Sequence, residues 1–303
     1  MSMKNLELNK KVILGERRKQ LFKRLENCKI CPRQCGVNRV KDVKGYCRTG
    51  RFALVSSYNL HFGEEPPISG SKGSGTIFFA NCNMHCKFCQ NYPISQLGHG
   101  HEVDAIALAD IMRELQSKGA HNINFVTPTH VVPQIVEALC IAIEEGLDIP
   151  LVYNSGGYDS SEILKLLKGI VDIYMPDAKY GSDEFAKKYS DASDYPKINR
   201  DALKEMHSQV GDLNLNSSGI AVQGLLIRHL VLPHNIAASD KVLSFIAKEI
   251  SNKTYMSIMA QYHPAYRAHE YPELSRRPLL EEYQKALDWA DSLGLRRGWR
   301  QDF

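Results

Sequence analysis

Three cysteines, Cys82, Cys86 and Cys89, stand in the stretch CNMHCKFCQN, separated by three and two residues. They follow the apolar run Gly75-Thr76-Ile77-Phe78-Phe79-Ala80. A structural zinc or an ordinary iron–sulfur cluster takes four protein ligands. Three thiolates leave one coordination position open, and an open position on a metal centre is where chemistry can occur. One reading is a zinc ion completed by His61 or His85. The other is a cube of four irons and four sulfides whose fourth iron is free to take a ligand.

Four more cysteines lie upstream. Cys28, Cys31, Cys35 and Cys47 are separated by two, three and eleven residues, in a Gly- and Pro-containing stretch without periodicity. Four thiolates make a closed site. It suits either a zinc staple for a segment with little core or a second iron–sulfur cluster that relays electrons. The eighth cysteine, Cys140, sits in the apolar run VEALCIAIEE and reads as a small buried hydrophobe.

These residues need a scaffold. Short β-rich runs at Thr76–Ala80, Asn122–Thr127, Pro150–Asn154, Val171–Met175, Gly224–Leu230 and Tyr255–Ala260 alternate with amphipathic segments at Asp104–Ser117, Val131–Glu145, Ser160–Leu167, Ala202–Val210 and Asp240–Ser251. Near-continuous apolar strands separated by helices predict a parallel sheet in an α/β fold. Six units predict an incomplete (β/α)6 barrel. A charged helix over residues 6–27 and a strand in RFALVSSYNL precede it. In barrels the chemistry sits at the C-terminal ends of the strands. Polar residues stand at or just after the end of each predicted strand: Cys82, Cys86 and Cys89; Thr127 and Thr129; Asn154 and Ser155; Asp177 and Lys179; Arg228 and His229, carried by the fifth strand itself; Gln261. Six polar ends in succession point to one shared site. Glu64 and Glu65, in HFGEEPPISG, read as an exposed turn, with substrate binding as the alternative if that loop covers the mouth.

The bulk properties narrow the class. The chain has 303 residues, 43% hydrophobic and 24% charged, which suits a globular protein. A net charge of +4 without a long basic run does not suggest nucleic-acid binding. No apolar run approaches the roughly 20 residues of a membrane span. The opening MSMKNLELNKKVILGERRKQ lacks the apolar core of a signal peptide. The expectation is a cytoplasmic protein, and clustered cysteines in such a chain read as metal ligands.

The CxxxCxφC pattern, with Phe88 as the aromatic φ, resembles the signature of the radical S-adenosylmethionine superfamily. Within it the chain is similar to homologues of pyruvate formate-lyase activating enzyme. The resemblance implies a radical-enzyme barrel over 75–262, an N-terminal helix and Cys-rich extension over 1–74, and a C-terminal extension over 263–303 packed on the barrel. It implies a [4Fe-4S] cluster on Cys82, Cys86 and Cys89. It also implies reductive cleavage of S-adenosylmethionine to a 5′-deoxyadenosyl radical that takes hydrogen from a substrate. Asp177 and Lys179 match the family's Asp-x-Lys at the cofactor. Asn154 and Ser155 match its polar turn, and Arg228 or His229 its strand-five contact. The family's Gly-Gly-Glu segment is replaced by Thr127-Pro128-Thr129-His130, with no carboxylate. An electron donor such as flavodoxin or ferredoxin is implied, and a glycyl-radical protein is one candidate substrate. Radical modification of a peptide or small molecule is the alternative. A non-catalytic iron–sulfur electron carrier is the reading of a different class, and it has no need of six polar strand ends.

Overall fold

The apolar runs form strands, and their alternation sorts side chains onto two faces. The computed structural model describes residues 3–301, with side chains from residue 12 onward. Its strands are β1 (Ala53–His61), β2 (Ser74–Phe79), β3 (His101–Val103), β4 (Ile123–Val126), β5 (Leu151–Asn154), β6 (Ile173–Tyr174), β7 (Asn214–Leu215), β8 (Ala221–Leu230), β9 (Tyr255–Met259) and β10 (Gly298–Arg300). The sheet order is β10-β9-β8-β6-β5-β4-β2-β1-β3, with β7 paired to β8. All pairings from β2 through β10 along this path are parallel. β1 and β3 add an antiparallel margin. The sheet stays open, as the partial barrel requires, and the six expected strands are all present. The tail strand, β10, extends the parallel run by one.

The helices are α1 (Met3–Leu25), α2 (Pro66–Ser69), α3 (Tyr92–Ser95), α4 (Ala105–Ser117), α5 (Val132–Glu144), α6 (Ser161–Leu166), α7 (Asp183–Ser190), α8 (Tyr195–Val210), α9 (Ser239–Phe245) and α10 (Leu280–Ser292). Helix α4 shows why they form where they do. Asp104 caps it by accepting from the Ala107 amide at 2.8 Å. Leu108, Ile111, Met112 and Leu115 then fall on one buried face. Helix α8 starts at Tyr195 rather than Ala202, because Pro196 is tolerated in a first helical turn and so does not stop it. Helix α9 gives way after Phe245 to a wider π turn over Ile246–Ile250.

Two cores result. Outside the sheet, Ile77, Phe79, Ile123, Phe125 and Tyr153 pack against α4, α5 and Leu14, Leu21 and Leu25 of α1. Inside it, Val152, Ile173, Met175, Leu226 and Tyr255 pack with Ile68 of α2. The loop before β2 therefore plugs the barrel at the N-terminal ends of its strands. The C-terminal ends are left to polar residues. Among the described residues no helix is long and apolar enough to cross a membrane.

Candidate active site

The cysteine loop begins one turn past β2. Asn81 takes a left-handed conformation (φ 68°), which Asn adopts more readily than most residues. Its side chain donates to Thr49 Oγ1 at 3.3 Å. The loop is then fixed by backbone bonds. The His85 and Lys87 amides donate to Ser190 and Tyr189 carbonyls at 3.0 and 2.7 Å, and Arg267 donates to the Lys87 carbonyl at 2.8 Å. Arg33 Nε donates to the Asn83 carbonyl at 3.0 Å. Phe88 lies buried, edge-on to Tyr262 and Tyr180.

Each thiol has a polar neighbour. Cys82 Sγ accepts from the Met84 amide at 3.3 Å, and Cys86 Sγ from the Ser190 hydroxyl at 3.0 Å. Cys89 Sγ lies 3.0 Å from Ser95 Oγ. Burial pushes the Cys82 thiol up, and the neighbouring thiols add to that. Burial pushes Cys86 up to about 11, opposed by the nearby Lys179 ammonium. Three thiols that feel one another and a cation in a buried loop are a donor set for a soft metal centre. Among the described residues, no three His, Cys, Asp or Glu side chains converge on one point as ligands of a single ion would. A four-iron cube binds each thiolate through a different iron, so its ligands need no such convergence.

Asp177 is the hub of the barrel mouth. Its Oδ1 accepts from Arg228 Nε at 3.0 Å, and its Oδ2 from Lys179 Nζ. Burial works against the Asp177 charge, but Arg228 and Lys179 outweigh it and hold the carboxyl below its ordinary range. Arg228 also donates to Asn154 Oδ1 at 2.8 Å and to Glu64 Oε2 at 3.4 Å. Glu64 Oε1 in turn accepts from Asn124 at 3.0 Å and from Asn154 at 3.4 Å. Side-chain exposure falls from 20% at Lys179 and 19% at Arg228 to 13% at Asp177 and 9% at Glu64. The polar side chains of the mouth therefore form a funnel in exposure, falling towards the interior. Lys179 faces the cysteine loop, because a Cβ on Gly156 would meet both Met84 Sδ (3.1 Å) and Lys179 Cε (3.8 Å). Gly157 (φ 73°) lets this turn pass close to the Asp177 carbonyl, where a Cβ would clash at 2.0 Å.

The other expected residues divide. The Thr129 and Ser155 hydroxyls donate to the two oxygens of buried Asp159, at 2.7 and 2.6 Å, and Tyr153 adds a third bond at 2.8 Å. Their oxygens remain acceptors, but their protons are committed. Thr127 (φ 62°) is half-buried, and its amide donates to the Asn154 carbonyl at 2.9 Å. Gln261 is exposed, and its carbonyl accepts from Gln90 at 3.1 Å. His229 points away from the mouth. Its ring is fully buried between the Ala178 carbonyl (2.6 Å) and Ser239 Oγ (2.8 Å). Neighbours on a strand face opposite ways, so Arg228 alone turns inward. Sequence reasoning missed Asp159. It placed Glu64 on an exposed turn or over the mouth, whereas the carboxylate enters from beneath the strands.

The upstream thiols lie near enough to influence one another, though they do not converge on one point as ligands of a single ion would. Burial pushes Cys31 up to about 12, with Cys47, Cys28 and Cys35 adding to it. Cys28, Cys31 and Cys47 are buried and Cys35 is exposed. A Cβ on Gly45 would lie 2.5 Å from Cys35 Sγ, so only glycine permits that approach. Arg39, almost wholly buried, binds the segment to the barrel by donating to the His130 carbonyl at 2.8 Å and closes the segment on itself by donating to the Gly50 carbonyl at 3.2 Å. The two cysteine groups adjoin. Tyr46 stacks on His85 at 4.2 Å, Arg33 lies 3.8 Å over the Tyr46 ring, and the Tyr46 hydroxyl donates to Asp191 at 2.5 Å. Cys140 takes no part; it donates to the Val136 carbonyl within α5.

Residues 76–229 match the family model described as the Radical SAM superfamily. The chain is 34% identical over 287 residues to the uncharacterized protein MJ0674 of Methanocaldococcus jannaschii, covering 91% of this chain and 77% of that protein. It is 24% identical over 281 residues to MJ0808 of the same organism, covering 84% and 78%. Among solved structures it is similar to the FeFe-hydrogenase maturase HydG from Carboxydothermus hydrogenoformans, with a TM-score of 0.48, 12% identity and 73% of this chain covered. The chain spans 50% of that protein's length. A structure of TYW1 with a lysine-pyruvate adduct gives a TM-score of 0.46 at 10% identity, covering 73% of this chain and 74% of that one. The cysteine pattern, the open parallel sheet and the family match agree: the chain belongs to the radical S-adenosylmethionine superfamily.

Proposed function

We propose that this chain is a radical enzyme in which Cys82, Cys86 and Cys89 hold a [4Fe-4S] cluster and the mouth residues hold S-adenosylmethionine. The observation that carries the reading is the gathering of three thiols at the end of β2, Cys86 buried and Cys82 and Cys89 half-buried, with Lys179 and the Asp177–Arg228 pair beside them. When bound, the two cofactors supply reductive cleavage of the S–C5′ bond and hence a hydrogen-abstracting radical. The chain's own residues bind, orient and exclude water. Lys179 offers an ammonium, and Asp177 a carboxylate held ionised, to the zwitterionic methionine end. Asn154 and Arg228 present the next polar layer. The Thr129 oxygen, with its proton turned to Asp159, is left to accept from the amino group in place of the missing carboxylate, whereas Ser155 Oγ already accepts from the Gly157 amide at 3.2 Å. Phe88 and its tyrosine neighbours close the loop against water. A carrier of electrons alone has no use for this buried ionic network.

The upstream thiols would hold a second metal centre. Their contact with the catalytic loop through Tyr46 and His85 supports an iron–sulfur relay between an external donor, such as flavodoxin or ferredoxin, and the catalytic cluster. Zinc is the alternative that metal analysis would reveal. A polar mouth whose side chains grow less exposed towards the barrel interior favours a small molecule over a glycyl-radical protein as target.

The test is anaerobic reconstitution with iron and sulfide, then dithionite and S-adenosylmethionine. The reading predicts 5′-deoxyadenosine and methionine in equal amounts. A protein that takes up four irons and yields neither would overturn it.

A further inference from the structure

The floor of the funnel is over-supplied with acceptors. Glu64 and Glu65 both enter from the plug before β2, but only Glu64 is satisfied. Glu65 is 3% exposed, and its Oε2 receives no hydrogen bond. It lies close enough to Arg228 to help hold that guanidinium charged, and close enough to Tyr255 to push the phenol up further than burial alone does. Yet Arg228 spends its nitrogens on Asp177, Glu64 and Asn154. Two more buried polar atoms without partners share this interior, Asn124 Oδ1 and Ser257 Oγ. The sheet register puts them on the same face: Ser257 pairs with Arg228, and Asn124 with Val152 of the inner core. Native structures leave few buried polar groups unpaired, and each one needs a cause.

The ion pairing points the same way. Among the described residues of this network, Asp177 pairs with Arg228 and Lys179, Glu64 pairs with Arg228, and no ion pair reaches Glu65. Burial pushes the Glu64 carboxyl up, and Arg228 opposes that. A water molecule could donate to these acceptors but would bring no cation to Glu65. A hard divalent cation takes six or more oxygens, more than these three side chains offer. An ammonium group has three donors, one positive charge and no acceptor to leave unpaired.

We infer that the barrel floor binds a protonated primary amine of the substrate, which donates to Glu65 Oε2, Asn124 Oδ1 and Ser257 Oγ. The inference rests on the radical-enzyme reading above, because it places the rest of that substrate up the funnel towards the cofactor. It makes Glu65 a specificity residue held in the fold at a cost, since a buried carboxylate without a partner destabilises the free protein.

The test uses the full chain, reconstituted anaerobically and saturated with S-adenosylmethionine. n-Butylammonium is titrated calorimetrically, with butyrate and n-butanol as controls, and 5′-deoxyadenosine is measured on the same sample. The amine should bind and the controls should not. Glu65→Gln should weaken amine binding about tenfold or more, the size expected for a lost charge-assisted bond. It should also raise the melting temperature of the amine-free protein, which a structural carboxylate would not do. Ser257→Ala should weaken binding less. If 5′-deoxyadenosine forms but the amine does not bind, or binds equally to Glu65→Gln, the amine site falls and the radical reading stands. A Glu65→Gln protein that melts lower or fails to fold would show that the carboxylate supports the fold, and would also overturn the inference. Absence of 5′-deoxyadenosine would count against the radical reading itself.

Discussion

The two cysteine groups are built in opposite ways. Cys82, Cys86 and Cys89 sit on a loop launched from a central parallel strand, and ordinary backbone bonds fix that loop to Ser190, Tyr189 and Arg267. Cys28, Cys31, Cys35 and Cys47 sit in a segment tied down by side chains, Arg39 to the His130 carbonyl, Arg33 to the Asn83 carbonyl and Tyr46 to Asp191, with Cys35 at the surface. The first group faces a polar funnel and the second does not. Three ligands beside a cavity leave room for a reactant, whereas four ligands in a loop close on themselves. Backbone bonds hold the loop of Cys82, Cys86 and Cys89, and we propose that metal holds the upstream one.

That difference predicts where substitutions will hurt. Cys28→Ser should loosen the segment from Cys28 to Gly50, since binding of a structural metal supplies much of the folding free energy of such loops. Proteolysis of this segment should accelerate strongly while the barrel stays resistant. Metal analysis sharpens the result. Loss of one zinc identifies a staple, and loss of about half the iron identifies a relay. A segment that stays protected without metal would remove the contrast.

A smaller effect is expected at the mouth. Lys179→Ala leaves Asp177 paired with Arg228, so the melting temperature should hardly move. Binding of S-adenosylmethionine should weaken about tenfold to a hundredfold, the range for a lost bond to a charged partner. Unchanged affinity with reduced stability would make the pair structural.

A pH-dependent effect lies between the two groups. His130 accepts no charge easily: burial first, and the Arg39 guanidinium second, hold its ring down to about 3 from an ordinary 6.5. The unfolded chain takes up a proton below 6.5 that the folded chain refuses until about 3. Stability should therefore fall as pH drops through that window, by up to about 1.4 kcal/mol per pH unit. Denaturant titrations across the window should show a shallower slope for His130→Gln. An identical slope would place the acid-labile group elsewhere.

The strands were legible because a parallel sheet buried on both faces reads as continuous apolar runs, and the polar ends read as a site. Asp177, Lys179, Asn154 and Arg228 came together as their positions after successive strands suggested. His229 did not, although alternation along β8 already turns it away from Arg228. Glu64 and Asp159 were hidden for another reason. A carboxylate in a Gly- and Pro-rich loop looks solvated in one dimension. Its burial depends on where Ile68 packs and on which hydroxyls converge, and neither is local in sequence. Helix α8 begins at Tyr195, ahead of the expected Ala202, because Pro196 sits in its first turn and is tolerated there.

The measurement closest to the central claim is 5′-deoxyadenosine production by the reduced protein, compared with a Cys82→Ala, Cys86→Ala, Cys89→Ala variant and with Cys28→Ser. The wild type should form the product, the triple variant should remain folded and form none, and Cys28→Ser should retain at least part of the yield when dithionite supplies the electron. A triple variant that still makes 5′-deoxyadenosine would contradict the assignment of the catalytic cluster to these three thiolates.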